Sequence, residues 1–226
     1  MVRVKICGIT NWPDARLAVD LGAQMLGFIF HPESPRVVSP AAAWSIIRRL
    51  PSCVVPVGLF VNWRPEVVDL LARAIRLKAV QLQGDESVAD ARALSRNHKV
   101  IKAFRVSPEF RLASLGRYKF DWANLLDGHA PGLYGGTGRT VDWDVARRAK
   151  KYGRVVLAGG LRAENVQDAI LAARPFAVDV CSGTEARPGK KDPARMRAFF
   201  DAVREGDPAS LPHAVKKKID SRAGRS

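Results

Sequence analysis

Two side chains in this sequence are placed where they could move protons, and a further set is placed where it could hold anions. The first is a thiol, Cys7, carried by the β-branched run Val4-Lys5-Ile6-Cys7-Gly8-Ile9-Thr10. The run reads as a buried strand that delivers its cysteine to the carboxyl end. A thiol so placed is packing, or a base or nucleophile where its neighbours stabilise the thiolate. The second is a carboxyl, Asp127, which closes the apolar run Ala123-Asn124-Leu125-Leu126. It is costly there unless paired, exposed or functional, and as a general acid it needs a pKa raised from its ordinary ~3.9. Its competing reading is an aspartate that closes a loop or caps a helix. Arg36, in the loop His31-Pro32-Glu33-Ser34-Pro35-Arg36, offers a planar fork suited to a carboxylate. Gly159-Gly160 and Cys181-Ser182-Gly183 let the main chain approach a phosphate closely, and the hydroxyls of Ser182 and Thr184 add donors. Without a ligand the same residues make two tight turns.

These groups act together only if a fold brings them to one place. Strands are predicted at residues 4–10, 25–30, 54–61, 79–83, 100–104, 123–127, 155–158 and 177–181. Between them lie helical segments: 13–21 with Asn11 or Thr10 as cap and Gly22 at its end, one opening at Ser39-Pro40, 65–74, and one capped by Asp85 and running to about Arg96. A less regular helix follows Ser107-Pro108. Others cover 142–150 and the segment through Val166, Ile170 and Leu171, and the last opens at Asp192-Pro193. The strands are near-continuous apolar runs, as expected for a parallel sheet covered on both faces. Eight strands alternating with helices in roughly 200 residues predict a single (β/α)8 barrel of α/β class. An open doubly wound sheet would show about six strands and a GxGxxG turn after the first, where this chain has Cys-Gly-Ile-Thr.

In such a barrel the active site lies at the carboxyl ends of the strands, and the loops after the seventh and eighth commonly bind phosphate. Every candidate above sits at such an end. Cys53 sits at the amino end of the third strand, on the face that serves stability, and makes an internal control. The loop Gly135-Gly136-Thr137-Gly138 reads as a lid or a turn.

Composition sets the remaining bounds. The 226 residues, 47% of them hydrophobic, suit one large domain. The barrel is expected over 1–205, with a basic, flexible tail at 206–226. Three cysteines with no CxxC pair argue against a disulfide framework and against a zinc site. The sequence opens on strand-like residues without a secretory pattern, and its apolar runs fall short of the ~20 residues of a spanning helix. A cytoplasmic setting is the expectation. The net charge of +15 suits either nucleic acid or a scattered arginine-rich exterior. The arginines are dispersed, and Lys216-Lys217-Lys218 is too short for a polybasic arm. The expected partner is therefore a small anionic molecule, with no nucleic acid and no membrane, the chain being a monomer or homodimer.

Several stretches, taken in order, carry a resemblance: Lys5-Ile6-Cys7-Gly8-Ile9-Thr10, Gly27-Phe28-Ile29-Phe30, Ser34-Pro35-Arg36, Val57-Gly58-Leu59-Phe60-Val61-Asn62, Val80-Gln81-Leu82-Gln83-Gly84, Leu125-Leu126-Asp127, Gly135-Gly136-Thr137-Gly138, Gly159-Gly160-Leu161 and Val178-Asp179-Val180-Cys181-Ser182-Gly183. Over residues 2–204 the chain resembles the phosphoribosylanthranilate isomerases of tryptophan biosynthesis. The resemblance implies a cofactor-free Amadori rearrangement of N-(5′-phosphoribosyl)anthranilate to the carboxyphenylamino deoxyribulose phosphate. It puts Cys7 on the family's general base, Asp127 on its general acid and Arg36 on the residue that holds the anthranilate carboxylate. It puts Gly159, Gly160, Cys181, Ser182 and Gly183 on its phosphate site. Two positions depart from the pattern: Gln83 stands where relatives often have histidine, and Cys181 where they often have serine. A related isomerase of histidine biosynthesis, which uses two aspartates on a half-barrel repeat, is the alternative, and Cys7 with no evident two-fold repeat speaks against it.

Overall fold

The computed structural model describes residues 1–119, 122–128 and 142–207. Eight parallel strands close into a barrel in sequence order: β1 (Arg3–Ile6), β2 (Met25–Ile29), β3 (Val55–Phe60), β4 (Ala79–Leu82), β5 (Lys99–Val106), β6 (Ala123–Gly128), β7 (Val155–Leu157) and β8 (Ala177–Val180). Closure is made by β1 on β8, where Lys5 pairs with Asp179 and Ile6 with Val180. This is the expected (β/α)8 barrel. Period-two alternation divides each strand into an inward and an outward set. Met25, Val57, Ala79, Ile101, Leu125, Val156 and Ala177 pack together inside the barrel. Their outward neighbours Leu26, Phe28, Val80, Leu82, Leu126, Leu157 and Val178 join the larger core under the helices.

The helices start and stop where local chemistry dictates. In α1 (Trp12–Leu21) Asn11 accepts a hydrogen bond from the Asp14 amide, and Gly22 ends the helix in the left-handed region at φ 105°. Ser39 caps α2 (Pro40–Ile47), and α3 (Pro65–Ala74) opens on its proline. The cap of α4 (Val88–Ser95) is Ser87, not Asp85. Ser87 Oγ accepts from the Asp90 amide at 3.1 Å while the Asp90 carboxylate accepts from the Ser87 amide at 3.0 Å. This reciprocal box satisfies two backbone donors at once, and Asp85 instead pairs with Arg105 at 2.6 Å. After β5 the chain makes a 3₁₀ helix over Leu112–Tyr118, in place of a regular α-helix. Then follow α5 (Trp143–Ala149), α6 (Ala163–Ala173) and α7 (Pro193–Gly206). Between β8 and α7 lies a small hairpin without a counterpart in the predicted elements, β9 (Glu185–Arg187) and β10 (Lys190–Lys191). Past α7, buried Asp207 accepts a hydrogen bond from the Val2 amide at 2.9 Å, tying the two ends of the barrel together. Among the described residues no helix is long and apolar enough to cross a membrane.

Candidate active site

The inward parity of the strands continues one step past their ends, and it gathers the candidates. Cys7, Gln83, Asp127, Asp179 and Cys181 line one cavity at the carboxyl end of the barrel, together with Arg36, Gly159, Gly160 and Ser182. Gly183 lines an adjoining depression shared with Gly160 and Ser182. Asn62 and Arg105 also lie at strand ends but both engage Asp85, Asn62 by accepting from its amide at 2.7 Å. The glycine-rich segment 135–138 lies outside the described residues.

Cys7 is buried, and space for its thiol comes from Gly27, where a β-carbon would stand 2.8 Å from Cys7 Sγ. A hydrogen bond with the Cys181 thiol is the largest influence on its ionisation. Burial and Asp179 oppose the thiolate, while the ammonium groups of Lys5 and Lys191 favour it, and the Cys7 pKa falls to about 7. The same hydrogen bond, added to burial, pushes Cys181 the other way, well above an ordinary thiol. Lys5 is fully buried and held by both oxygens of Asp179 at 2.9 Å. Burial alone would lower its pKa, but Asp179 and Cys7 reverse this, so it stays charged beside the thiol. Cys53 is exposed in the turn before β3. Cys53→Ala is therefore expected to leave kcat/KM unchanged in a steady-state assay.

Asp127 presents the opposite case. It is 5% exposed, and burial raises its pKa to about 6, aided by the Asp179 carboxylate and opposed by the Gly128 amide, Gln83 and Lys5. Its Oδ1 is buried with no hydrogen-bond partner among the described residues. On the other oxygen a short relay ends: Gln81 Nε2 donates to Gln83 Oε1 at 2.7 Å, and Gln83 Nε2 donates to Asp127 Oδ2 at 3.4 Å. Gln83 thereby engages one oxygen of the carboxyl. It fixes the rotamer of the carboxyl without bringing a charge that would force ionisation.

Arg36 reaches the cavity with half of its fork already used. Its Nε and Nη2 donate to Glu185 at 2.8–3.0 Å. Burial works against the charge on Glu185, but Arg36 and Lys191 outweigh it and hold its pKa below the usual range. Lys191, 1% exposed, donates to Glu185 Oε1 at 3.3 Å and to the Cys181 carbonyl at 3.0 Å, and its amide donates to Asp14 at 2.8 Å. The β9–β10 hairpin is thereby a buried electrostatic bracket that holds Arg36 to one side of the cavity mouth.

On the other side stand the two turns. Gly159 and Gly160 both have positive φ, 84° and 58°. A β-carbon on Gly183 would meet the Leu161 carbonyl oxygen at 2.0 Å, so only glycine lets the β8 turn lie against the β7 loop. Asn165, in the first turn of α6, donates to the Gly160 carbonyl at 2.9 Å and pins this arrangement.

Four functional groups escaped the sequence reading: Lys5, Asp179, Glu185 and Lys191. For the first two a signal was present. A lysine and an aspartate inside otherwise apolar runs, each one inward step before a cysteine, are tolerable in a barrel interior only as partners. Glu185 and Lys191 carried no comparable signal, because the hairpin that buries them has no strand-like composition.

With this geometry in hand, the relatives are informative. A protein from Geobacter sulfurreducens named N-(5′-phosphoribosyl)anthranilate isomerase is 50% identical over 200 residues, covering 88% of this chain and 97% of that protein. The family model for N-(5′-phosphoribosyl)anthranilate (PRA) isomerase matches residues 4–202. The chain belongs to this family. Members are isomerases of tryptophan biosynthesis, and this chain is an enzyme of that kind. Solved structures agree. The phosphoribosyl anthranilate isomerase of Thermotoga maritima superposes with a TM-score of 0.84 at 44% identity, covering 90% of this chain and 99% of the other. A second, in complex with reduced 1-(o-carboxyphenylamino)-1-deoxyribulose 5-phosphate, gives 0.81 at 41% identity over the same shares. The positions that carried the resemblance between Lys5 and Gly183 fall inside the matched span.

Proposed function

We propose that the enzyme isomerises N-(5′-phosphoribosyl)anthranilate with Asp127 as general acid and Cys7 as general base. The observation that carries this is the opposed pair of pKa values in one cavity: a carboxyl raised to about 6 by burial, and a thiol lowered to about 7 by its partners. A carboxyl tuned up and a thiol tuned down toward the operating pH supply an acid and a base that can both transfer protons near neutrality. Asp127 gives its proton to the furanose ring oxygen as the C1′–O bond breaks, and the anilino nitrogen supplies the electrons that leave a protonated Schiff base. That cation acidifies the C2′ hydrogen. Cys7 thiolate takes it, the C2′–H electrons form the enolamine, and ketonisation completes the rearrangement.

The flanking groups fit the two ends of such a substrate. The free edge of Arg36 suits the anthranilate carboxylate, and the turns at Gly159-Gly160 and Cys181-Ser182-Gly183 suit the phosphate. An anionic small molecule also suits the net charge of +15, and free thiols suit the cytoplasm. A steady-state assay with N-(5′-phosphoribosyl)anthranilate tests the reading. Turnover of only the aminoimidazole substrate of histidine biosynthesis would overturn it.

Glu185 gives a second handle. Glu185→Gln keeps the shape but leaves Arg36 and Lys191 without their shared anion, so the guanidinium is expected to wander from the cavity mouth. KM should rise about tenfold, the worth of ~1.4 kcal/mol, with a smaller change in kcat. An equal fall in kcat at constant KM would assign Glu185 to the chemistry instead.

A further inference from the structure

The mechanism uses one thiol of the Cys7–Cys181 pair and leaves the other unexplained. Strand register makes the two neighbours. Lys5 pairs with Asp179 and Ile6 with Val180 across β1 and β8, so Cys7 and Cys181 are the next step of the same ladder. The Cys7 amide donates to the Val180 carbonyl at 2.9 Å, so the pairing persists to this step. Adjacent strands lie about 4.8 Å apart, inside the roughly 4.4–6.8 Å between Cα atoms that a disulfide spans. Both side chains face the cavity, and Cys181 packs on the cluster that contains Cys7, Ile29, Leu59 and Val61. The pocket of the Cys181 thiol is tight: its sulfur would be 3.0 Å from a β-carbon on Gly8 and lies 3.8 Å from Glu185 Oε1.

We propose that Cys7 and Cys181 form a reversible disulfide on exposure to hydrogen peroxide, which takes the enzyme out of use and protects the Cys7 sulfur from irreversible oxidation. The Cys7 thiolate attacks one peroxide oxygen, the O–O bond breaks, and the departing hydroxide is protonated to water, leaving a sulfenic acid. The Cys181 sulfur then attacks that sulfur, the S–O bond breaks, and a second water leaves with the Cys181 proton. Two thiols are oxidised by one electron each and one peroxide is reduced to two waters. A thiol reductant reverses the step by exchange and is itself oxidised to a disulfide. Oxidant reaches the pair by the substrate's own route, because both residues line the cavity. The loss of activity rests on Cys7 being the base, whereas the formation of the disulfide does not.

The test uses the full-length enzyme carrying Cys53→Ala, so that the remaining thiols are Cys7 and Cys181. After sustained hydrogen peroxide, peptide mass spectrometry is expected to find Cys7 and Cys181 cross-linked with the loss of two hydrogens. Activity should fall about a hundredfold, the scale of a lost general base, and return with dithiothreitol. In the same background Cys181→Ser is expected to lose activity with peroxide and not recover it, because Cys7 without a resolving thiol proceeds to sulfinic acid. No cross-link in the oxidised enzyme, or equal recovery by the Cys181→Ser variant, would overturn the proposal. A cross-linked enzyme that stays active would leave the disulfide standing and refute Cys7 as the base.

Discussion

Cys7→Ser is expected to lower kcat/KM by a factor of about 10²–10⁴ while the barrel stays folded. The hydroxyl occupies nearly the same volume, so the packing against Ile29, Leu59 and Val61 survives, and the Lys5–Asp179 pair beneath is untouched. What is lost is ionisation. A hydrogen bond from Cys181 and the charges of Lys5 and Lys191 bring a thiol to about 7, and the same surroundings leave an alcohol far from ionised at neutral pH. The pH profile separates this from a general disturbance. The active form needs Asp127 protonated and Cys7 ionised, the reverse of what pKa values of about 6 and about 7 favour. That form is therefore a minor fraction of the enzyme, and kcat/KM is bell-shaped with its maximum near neutral pH. The rise on the acid side follows the Cys7 proton leaving, and the fall on the alkaline side follows the Asp127 proton leaving. In the serine variant the rise should vanish and the fall remain. A variant with near-normal activity and an unchanged acid limb would remove Cys7 from the mechanism.

The barrel was legible in the sequence because both of its requirements are local. Apolar runs broken by capped helices repeat eight times, and each strand end is marked by the first polar or glycine residue after the run. That rule placed Cys7, Asp127 and Cys181 at strand ends, and their roles came only from the family resemblance. Where the rule failed, a local signal was ambiguous. Asp85 and Ser87 both qualify as caps, and the choice of Ser87 depends on Asp90 returning a hydrogen bond to it, while Asp85 is drawn to Arg105 across the loop. The bracket of Arg36, Glu185 and Lys191 was illegible for a stronger reason. Glu185 lies 149 residues from Arg36 in the chain, and the hairpin that carries it is two and three residues long on its two arms. No pattern within the segment states that its charges are buried. Charges in the barrel interior follow the same logic. Lys5 and Asp179 are 174 residues apart and become partners only when β1 closes on β8. Closure thus decides the electrostatics of the site. The strand pair that shuts the barrel is also the one that puts an ammonium group and a second thiol beside Cys7.

Asp127→Asn is expected to abolish measurable turnover yet make the folded protein more stable at alkaline pH. The amide keeps the size and accepts the hydrogen bond from Gln83, but it has no proton to give to the ring oxygen, and about 10²–10⁴ in kcat/KM is at stake. In whatever activity remains, the alkaline fall should disappear, so that the profile rises and levels off above about pH 7 as Cys7 ionises. The stability effect follows from the direction of the shift. The carboxyl's pKa is raised in the folded state from 3.8 to about 6, so its protonated form is favoured by folding. The stability it contributes is present in full below the unfolded pKa and is lost as pH rises through about 6. About two pH units at ~1.4 kcal/mol each make a wild-type penalty of about 3 kcal/mol at alkaline pH, and the cost of burying the variant's amide donor cuts the variant's net advantage there to about 2 kcal/mol. Asparagine carries no charge and escapes it. Denaturant unfolding at pH 8 should therefore place the variant about 2 kcal/mol above the wild type, and at pH 4 the gap should close or reverse, because the amide cost stays when the carboxyl's penalty is gone. An equal gap at both values would trace the effect to packing. A variant less stable at pH 8 would mean that the Asp127 carboxylate is not held against the cost of burial, and the acid in the mechanism would have to be sought elsewhere in the cavity.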